Sequence, residues 1–235
     1  MKRAHLMLLV LGLGVSACGD STSGMDVVTP TIPTTTSAPA AQARYRVTFR
    51  ANWSQSTHPD RFPSNPHFSP LVGVAHSASV RFWEVGAIAS AGIEQMAELG
   101  ATAPLDSIIR TAIDSGEPQA LVLGGGISPA PGETSLELTA TRNFPCATVV
   151  AMLAPSPDWF VGVSARNLLE SADWPAEVVF ELFPYDAGTD SDDISNAPDQ
   201  DTEPQEPITR IDEQPFRSEG LVRPLCTFTL TRIQM

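Results

Sequence analysis

The chain has 235 residues, with 14 Lys or Arg against 27 Asp or Glu and a formal net charge of −13 at pH 7. That balance argues strongly against a nucleic-acid partner, since neutralising phosphates needs a basic face, and against direct adhesion to anionic lipid unless a bound cation changes the local sign. Apolar residues make up 42% and charged residues 17%, enough for one domain with a sizeable core, and no apolar run is long enough for an ordinary transmembrane helix.

In chain order, the N-terminus reads as an address. Lys2 and Arg3 form a short positive region, and Leu6 to Val15 is an apolar stretch too short to span a bilayer comfortably. Val15-Ser16-Ala17-Cys18 then matches a bacterial lipobox, which predicts a signal peptide over 1–17 and lipidation of Cys18. The alternative is an ordinary secretory signal cut near Ala17. Residues 18–42 are rich in Ser, Thr, Pro and Ala without apolar periodicity. They are expected to be a disordered tether that holds a domain over 43–235 off a membrane of the bacterial cell envelope. Inner and outer membrane are not distinguished by Gly19 and Asp20.

Arg44 to Trp53 alternates, with Tyr45, Val47, Phe49 and Ala51 on one face, and predicts a half-buried strand. Residues 54–70 read as loop. Ile88 to Leu99 predicts a helix stopping at Gly100. Pro104 to Ser115 predicts a second, with Leu105, Ile108, Ile109 and Ala112 on one face. The pattern then turns to β: Gln119–Leu123, Thr134–Thr141, a continuous apolar run at Ala147–Ala154, Trp159–Val163, Glu177–Pro184 and Leu225–Ile233. Short strands separated by turn signals predict a mainly β fold, an antiparallel β-sandwich with a short helical insert. Asp190–Gln205 is acidic and is expected to be a mobile surface loop. Cys146 and Cys226 are compatible with a disulfide in an oxidising compartment or with two buried thiols.

Chemistry concentrates in Pro155-Ser156-Pro157-Asp158-Trp159-Phe160-Val161-Gly162-Val163 and Tyr185-Asp186-Ala187-Gly188-Thr189-Asp190. Carboxylates brought together at strand ends repel unless a hard cation sits among them. Calcium suits such a set best, because carbonyls and water can complete its flexible coordination. The plain alternative is turn aspartates with local hydrogen bonds. His58, His67 and His76 have no compact zinc spacing and are better read as hydrogen-bonded structural residues. Gly124-Gly125-Gly126 lacks a P-loop lysine and reads as a strand-end turn. Trp53, Trp83, Trp159 and Trp174 could line a sugar-binding face, or belong to the core.

Those two segments, with Trp53-Ser54, His58-Pro59, Phe62-Pro63, Phe68 to Gly73, Ala75-His76, Trp83 and Ala97 to Gly100 in one order, resemble the spondin domain, the N-terminal module of F-spondin and mindin. The resemblance spans about Arg44 to Ile233. It implies a β-sandwich and one calcium ion held by Asp158, Asp186 and Asp190. It also implies an acidic ligand on the preceding strand, where a gap-free count finds Thr139, with Glu137 two residues earlier. The resulting expectation is a non-enzymatic, calcium-binding envelope lipoprotein that adheres to an unknown glycan or protein ligand. An envelope glycan hydrolase and a purely structural assembly protein are the alternatives.

Overall fold

The computed structural model describes residues 40–116, 118–191 and 200–233. In chain order its elements are β1 (Gln42–Ala51), β2 (His67–Phe68), β3 (Val72–His76), α1 (Ala91–Leu99), α2 (Leu105–Asp114), β4 (Pro118–Leu123), β5 (Gly132–Thr141) and β6 (Cys146–Ala154). There follow β7 (Trp159–Asn167), β8 (Glu177–Leu182), β9 (Tyr185–Asp186), β10 (Thr209–Arg210), β11 (Arg217–Ser218), β12 (Leu221–Val222) and β13 (Cys226–Ile233). A four-stranded sheet in the order β5-β1-β13-β8 packs on a larger sheet in the order β10-β9-β7-β6-β3-β4, and β2 pairs with β6. All strand pairs are antiparallel, as the turn-punctuated sequence predicts.

Period-two alternation builds the smaller sheet. Tyr45, Val47 and Phe49 of β1, Leu136 and Leu138 of β5, and Phe228 and Leu230 of β13 all point into one core. Arg44, Arg46 and Arg50 stay exposed on the other face. Phe49 packs against Phe228 and Phe68 with ring centroids 5.1 and 5.2 Å apart. Each such buried ring contributes about 2–3 kcal/mol of transfer free energy. The register Arg44↔Ile233 is fixed by this pattern, because a one-residue slip would turn every core side chain outward.

β6 is apolar on both faces for a different reason. One face joins the sandwich core through Ala147, Val149, Ala151 and Leu153. The other, through Val150, Met152 and Ala154, meets Ile93 and Met96 of α1 and Leu105 and Ile109 of α2. α1 starts at Ser90, whose hydroxyl accepts the Ile93 N–H. It ends at Gly100, in the left-handed region at φ 65°. In α2 the expected apolar face is only partly inside: Leu105 and Ile109 are buried, but Ile108 is exposed.

Three expectations change. β3 lies inside the stretch between the predicted elements and is a buried central strand. The tether boundary moves, since the fold already holds Ala40, whose carbonyl accepts the Trp174 indole N–H at 2.9 Å, and β1 begins at Gln42. Residues 200–208, predicted in part as mobile loop, are pinned: Thr202 N–H donates to the Thr189 carbonyl, Glu206 N–H to Gly188, and Ile208 N–H to Ala87, each at 2.8 Å. The predicted signal peptide and the predicted lipidation site at Cys18 lie outside the described residues, as do 192–199. Cys146 and Cys226 are free, buried thiols in different sheets.

Candidate metal centre

The turn before β7 is shaped by Ser156, whose hydroxyl accepts the Trp159 N–H at 3.1 Å. It leaves Asp158 fully buried immediately before the strand. β7 pairs with β9 through Trp159↔Asp186, so the two predicted segments meet. The Asp158 backbone carbonyl accepts the Ala187 N–H at 3.2 Å. Its side-chain Oδ2 accepts the N–H groups of Thr189 and Asp190 at 2.8 and 3.2 Å, and the Thr189 hydroxyl at 3.3 Å. Oδ1 is equally buried and has no hydrogen-bond partner.

The second segment curls because Gly188 takes φ +72°. A Cβ there would lie 2.2 Å from the Glu206 carbonyl oxygen, so only glycine fits. Asp186 Oδ1 accepts the Gly188 N–H at 2.8 Å and holds the turn from inside. Asp190 Oδ2 accepts the Gln200 N–H at 2.9 Å, and Asp190 bridges Asp201. The 200–206 segment thus closes over the turn.

The electrostatics are unfavourable for bare carboxylates. Burial pushes the Asp158 carboxyl up, against the pull of the Thr189 and Asp190 hydrogen bonds, and the Asp190 charge adds to the rise. Burial, then the Asp158 charge, pushes Asp186 up to about 6. Among the described residues no cation pairs with Asp158 or Asp186. A buried carboxylate oxygen without a donor is an exception that asks for a reason. Carboxylate oxygens are the hard donors that calcium takes, and Asp158, Asp186 and Asp190 are the residues that would hold such an ion. Among the described residues no three His, Cys, Asp or Glu side chains are gathered into a ready cage. Any such ion would need backbone carbonyls and water in its shell as well.

The fourth-ligand expectation is corrected. The strand preceding Asp158 is β6, and Thr139 and Glu137 lie on β5 in the other sheet. There Glu137 faces outward and pairs with Arg44 and Arg46. Sequence reasoning passed over Thr189, whose N–H and hydroxyl both hold Asp158. The signal was its place between Gly188 and Asp190 in the curled segment.

The remaining candidates are structural. His58 is buried between Thr57 and the Arg223 carbonyl, and His76 between the Ser77 carbonyl and the Thr148 hydroxyl. His67 bonds the Asn65 carbonyl. All four tryptophans are buried, which removes the sugar-binding face. The Gly124–Gly126 turn lies where Gly126 passes the Phe68 backbone so closely that a Cβ would lie 2.6 Å from its carbonyl oxygen.

The chain is similar in sequence to known proteins over most of this fold. The family model Spondin_N matches residues 43–220. Spondin-1 of Gallus gallus is 36% identical over 216 residues, covering 86% of this chain and 27% of that protein. Spondin-1 of Homo sapiens is 37% identical over 187 residues, 74% of this chain and 23% of that protein. Spondin-2 of Homo sapiens is 34% identical over 175 residues, 73% of this chain and 53% of that protein. The chain spans about a quarter of the length of the first two and about half of the third. A family match that runs through β1, both helices and the aspartate turn makes this chain a member of the Spondin_N family.

Proposed function

We propose that this is a non-enzymatic adhesion or ligand-binding module whose aspartate turn binds one calcium ion. The observation that carries the reading is Asp158 Oδ1, buried and unpartnered beside Asp186. When bound, the ion supplies the positive charge that the described residues do not bring. Asp158 contributes from the turn before β7, Asp186 from β9 and Asp190 from the segment that bridges Asp201. The ion would thus fasten one end of the large sheet to the 200–208 segment.

The address completes the reading. A signal peptide over 1–17, lipid on Cys18 and a tether reaching to about Ala40 would display the domain on a bacterial cell envelope, facing a glycan or protein ligand. The lipobox motif supports this reading. Radiolabelled palmitate should enter the wild-type chain in a bacterial host and fail to enter Cys18→Ser.

The decisive experiment is thermal unfolding in chelator and across a calcium titration. A ligand that binds only the folded state at a hundredfold excess over its dissociation constant adds about 2.7 kcal/mol. For a domain of this size that is a rise of about 5–10 °C. The rise should be calcium-specific and lost in Asp186→Asn. An unmoved midpoint, with no ion in the purified protein, overturns the calcium reading.

A further inference from the structure

β8 is the terminal strand of the four-stranded sheet. β13 pairs along one edge, and among the described residues no strand pairs along the other. The Arg232 N–H donates to the Ala176 carbonyl at 2.8 Å, and antiparallel bonds alternate along a strand. Val178, Phe180 and Leu182 therefore direct their backbone groups to β13, while Glu177, Val179 and Glu181 direct theirs to the open edge. That edge forms one wall of a groove of about 870 Å³. The Gly162–Arg166 stretch of β7 forms the wall opposite, and Trp83 and Tyr185 also line it.

The open edge carries a charge pattern. Glu177, Val179 and Glu181 share the outer face, opposite Thr231, Thr229 and Thr227 of β13. Val179 stays 53% exposed between the two carboxylates. No described side chain pairs with Glu177 or Glu181. The arginines of the groove are engaged elsewhere: Arg81 donates to the Ala78 and Val80 carbonyls at 2.8 and 2.7 Å, and Arg166 lies 5.1 Å over the Phe180 ring. Two copies joined antiparallel about Val179 would set Glu177 opposite Glu181 twice. Like charges directly opposite are unfavourable, so the pattern rejects a second copy. The same spacing favours a strand with basic side chains at two positions and an apolar one between them.

We infer that β8 accepts an extended segment of a partner protein, of the form basic-x-apolar-x-basic, as a fifth strand of the smaller sheet. Main-chain bonds to Glu177, Val179 and Glu181 hold the segment, and the two carboxylates select its charge. The site uses none of the three aspartates and stands whether or not they bind calcium.

The test is a titration of the isotope-labelled protein with the capped peptide TKTVTKT, followed by amide NMR shifts and hydrogen exchange at low salt. Shifts should saturate on β8 and the facing stretch of β7, with slowed exchange at Glu177, Val179 and Glu181. The capped peptide TETVTET should bind about tenfold more weakly, as two cross-strand pairs change sign. Val179→Pro removes a donor that faces only the open edge, so the peptide response should vanish while the β13 ladder persists. Glu177→Lys with Glu181→Lys should reverse the peptide preference in a protein of unchanged midpoint. Equal affinity for both peptides, no β8 response at several millimolar peptide, or β8 shifts that track protein concentration without peptide would each overturn the inference.

Discussion

His76 and Asp158 are both fully buried polar side chains, one on β3 and one at the start of β7. Their surroundings differ. Both ring nitrogens of His76 have partners at 2.8 Å, the Ser77 carbonyl and the Thr148 hydroxyl. Asp158 has three donors on Oδ2 and none on Oδ1. Burial therefore does not by itself mark a functional residue. A satisfied buried group is part of the architecture, whereas an incompletely satisfied one is kept at a free-energy cost that some other interaction must offset.

The comparison can be broken first at the backbone. Gly188→Val places a Cβ against the Glu206 carbonyl at a positive φ. It should lose about 3 kcal/mol or more in urea unfolding, with or without calcium, because it dismantles the turn around Asp158 without removing a charge. Thr148→Val tests the satisfied site. It strips His76 and the Ala165 N–H of a shared partner, and about 1–3 kcal/mol should be lost. Asp158→Asn should instead leave stability in chelator unchanged or raised, since the amide keeps the Oδ acceptor and removes a buried charge. Equal losses in Thr148→Val and Asp158→Asn would erase the distinction.

Acid should move the two regions in opposite directions. Asp186 is raised to about 6 in the fold, against an ordinary value of about 3.9. In chelator its contribution is fully present below the ordinary value and is lost as pH rises through about 6. After solvent screening it amounts to about 1–2 kcal/mol. Burial lowers His76, so its contribution is present above the ordinary value of about 6.5 and is lost as pH falls. Urea unfolding across this range should show Asp186→Asn removing the gain on the acid side and leaving the histidine loss in place. The smallest effect belongs to the exposed charges: Glu137→Gln, which breaks pairs with Arg44 and Arg46 on the outer face, should cost about 0.5 kcal/mol or less.

What could be read from the chain follows the same division between one-sided and two-sided environments. β1, β5 and β13 bury one face each, and their alternation announces them. Helix ends are legible through Ser90 and Gly100, whose local chemistry is the cap itself. β3 shows no alternation, because Val72 and Val74 pack on the helix side and Ala75 on the sandwich side, so both its faces are covered and no element is predicted there. β9 and β10 are two residues long and exist only through pairing. At the site, the aspartates were legible as turn carboxylates. The closing role of 200–208 was not, since its partners are backbone groups of a segment distant in sequence. The Thr139 expectation failed because a count along the chain ignores which sheet a strand enters. For the cysteines, nothing in their spacing says that β6 and β13 belong to different sheets.

The register of β1 with β13 has a mechanical consequence. Arg44 at the entry of the domain lies opposite Ile233 at its far end, so the chain comes in and leaves at one corner. Tension applied across that corner loads the rungs of the β1–β13 ladder one after another, and the two central strands peel apart like a zipper. A sheet of this build would yield readily to a pull on Arg44 and Ile233.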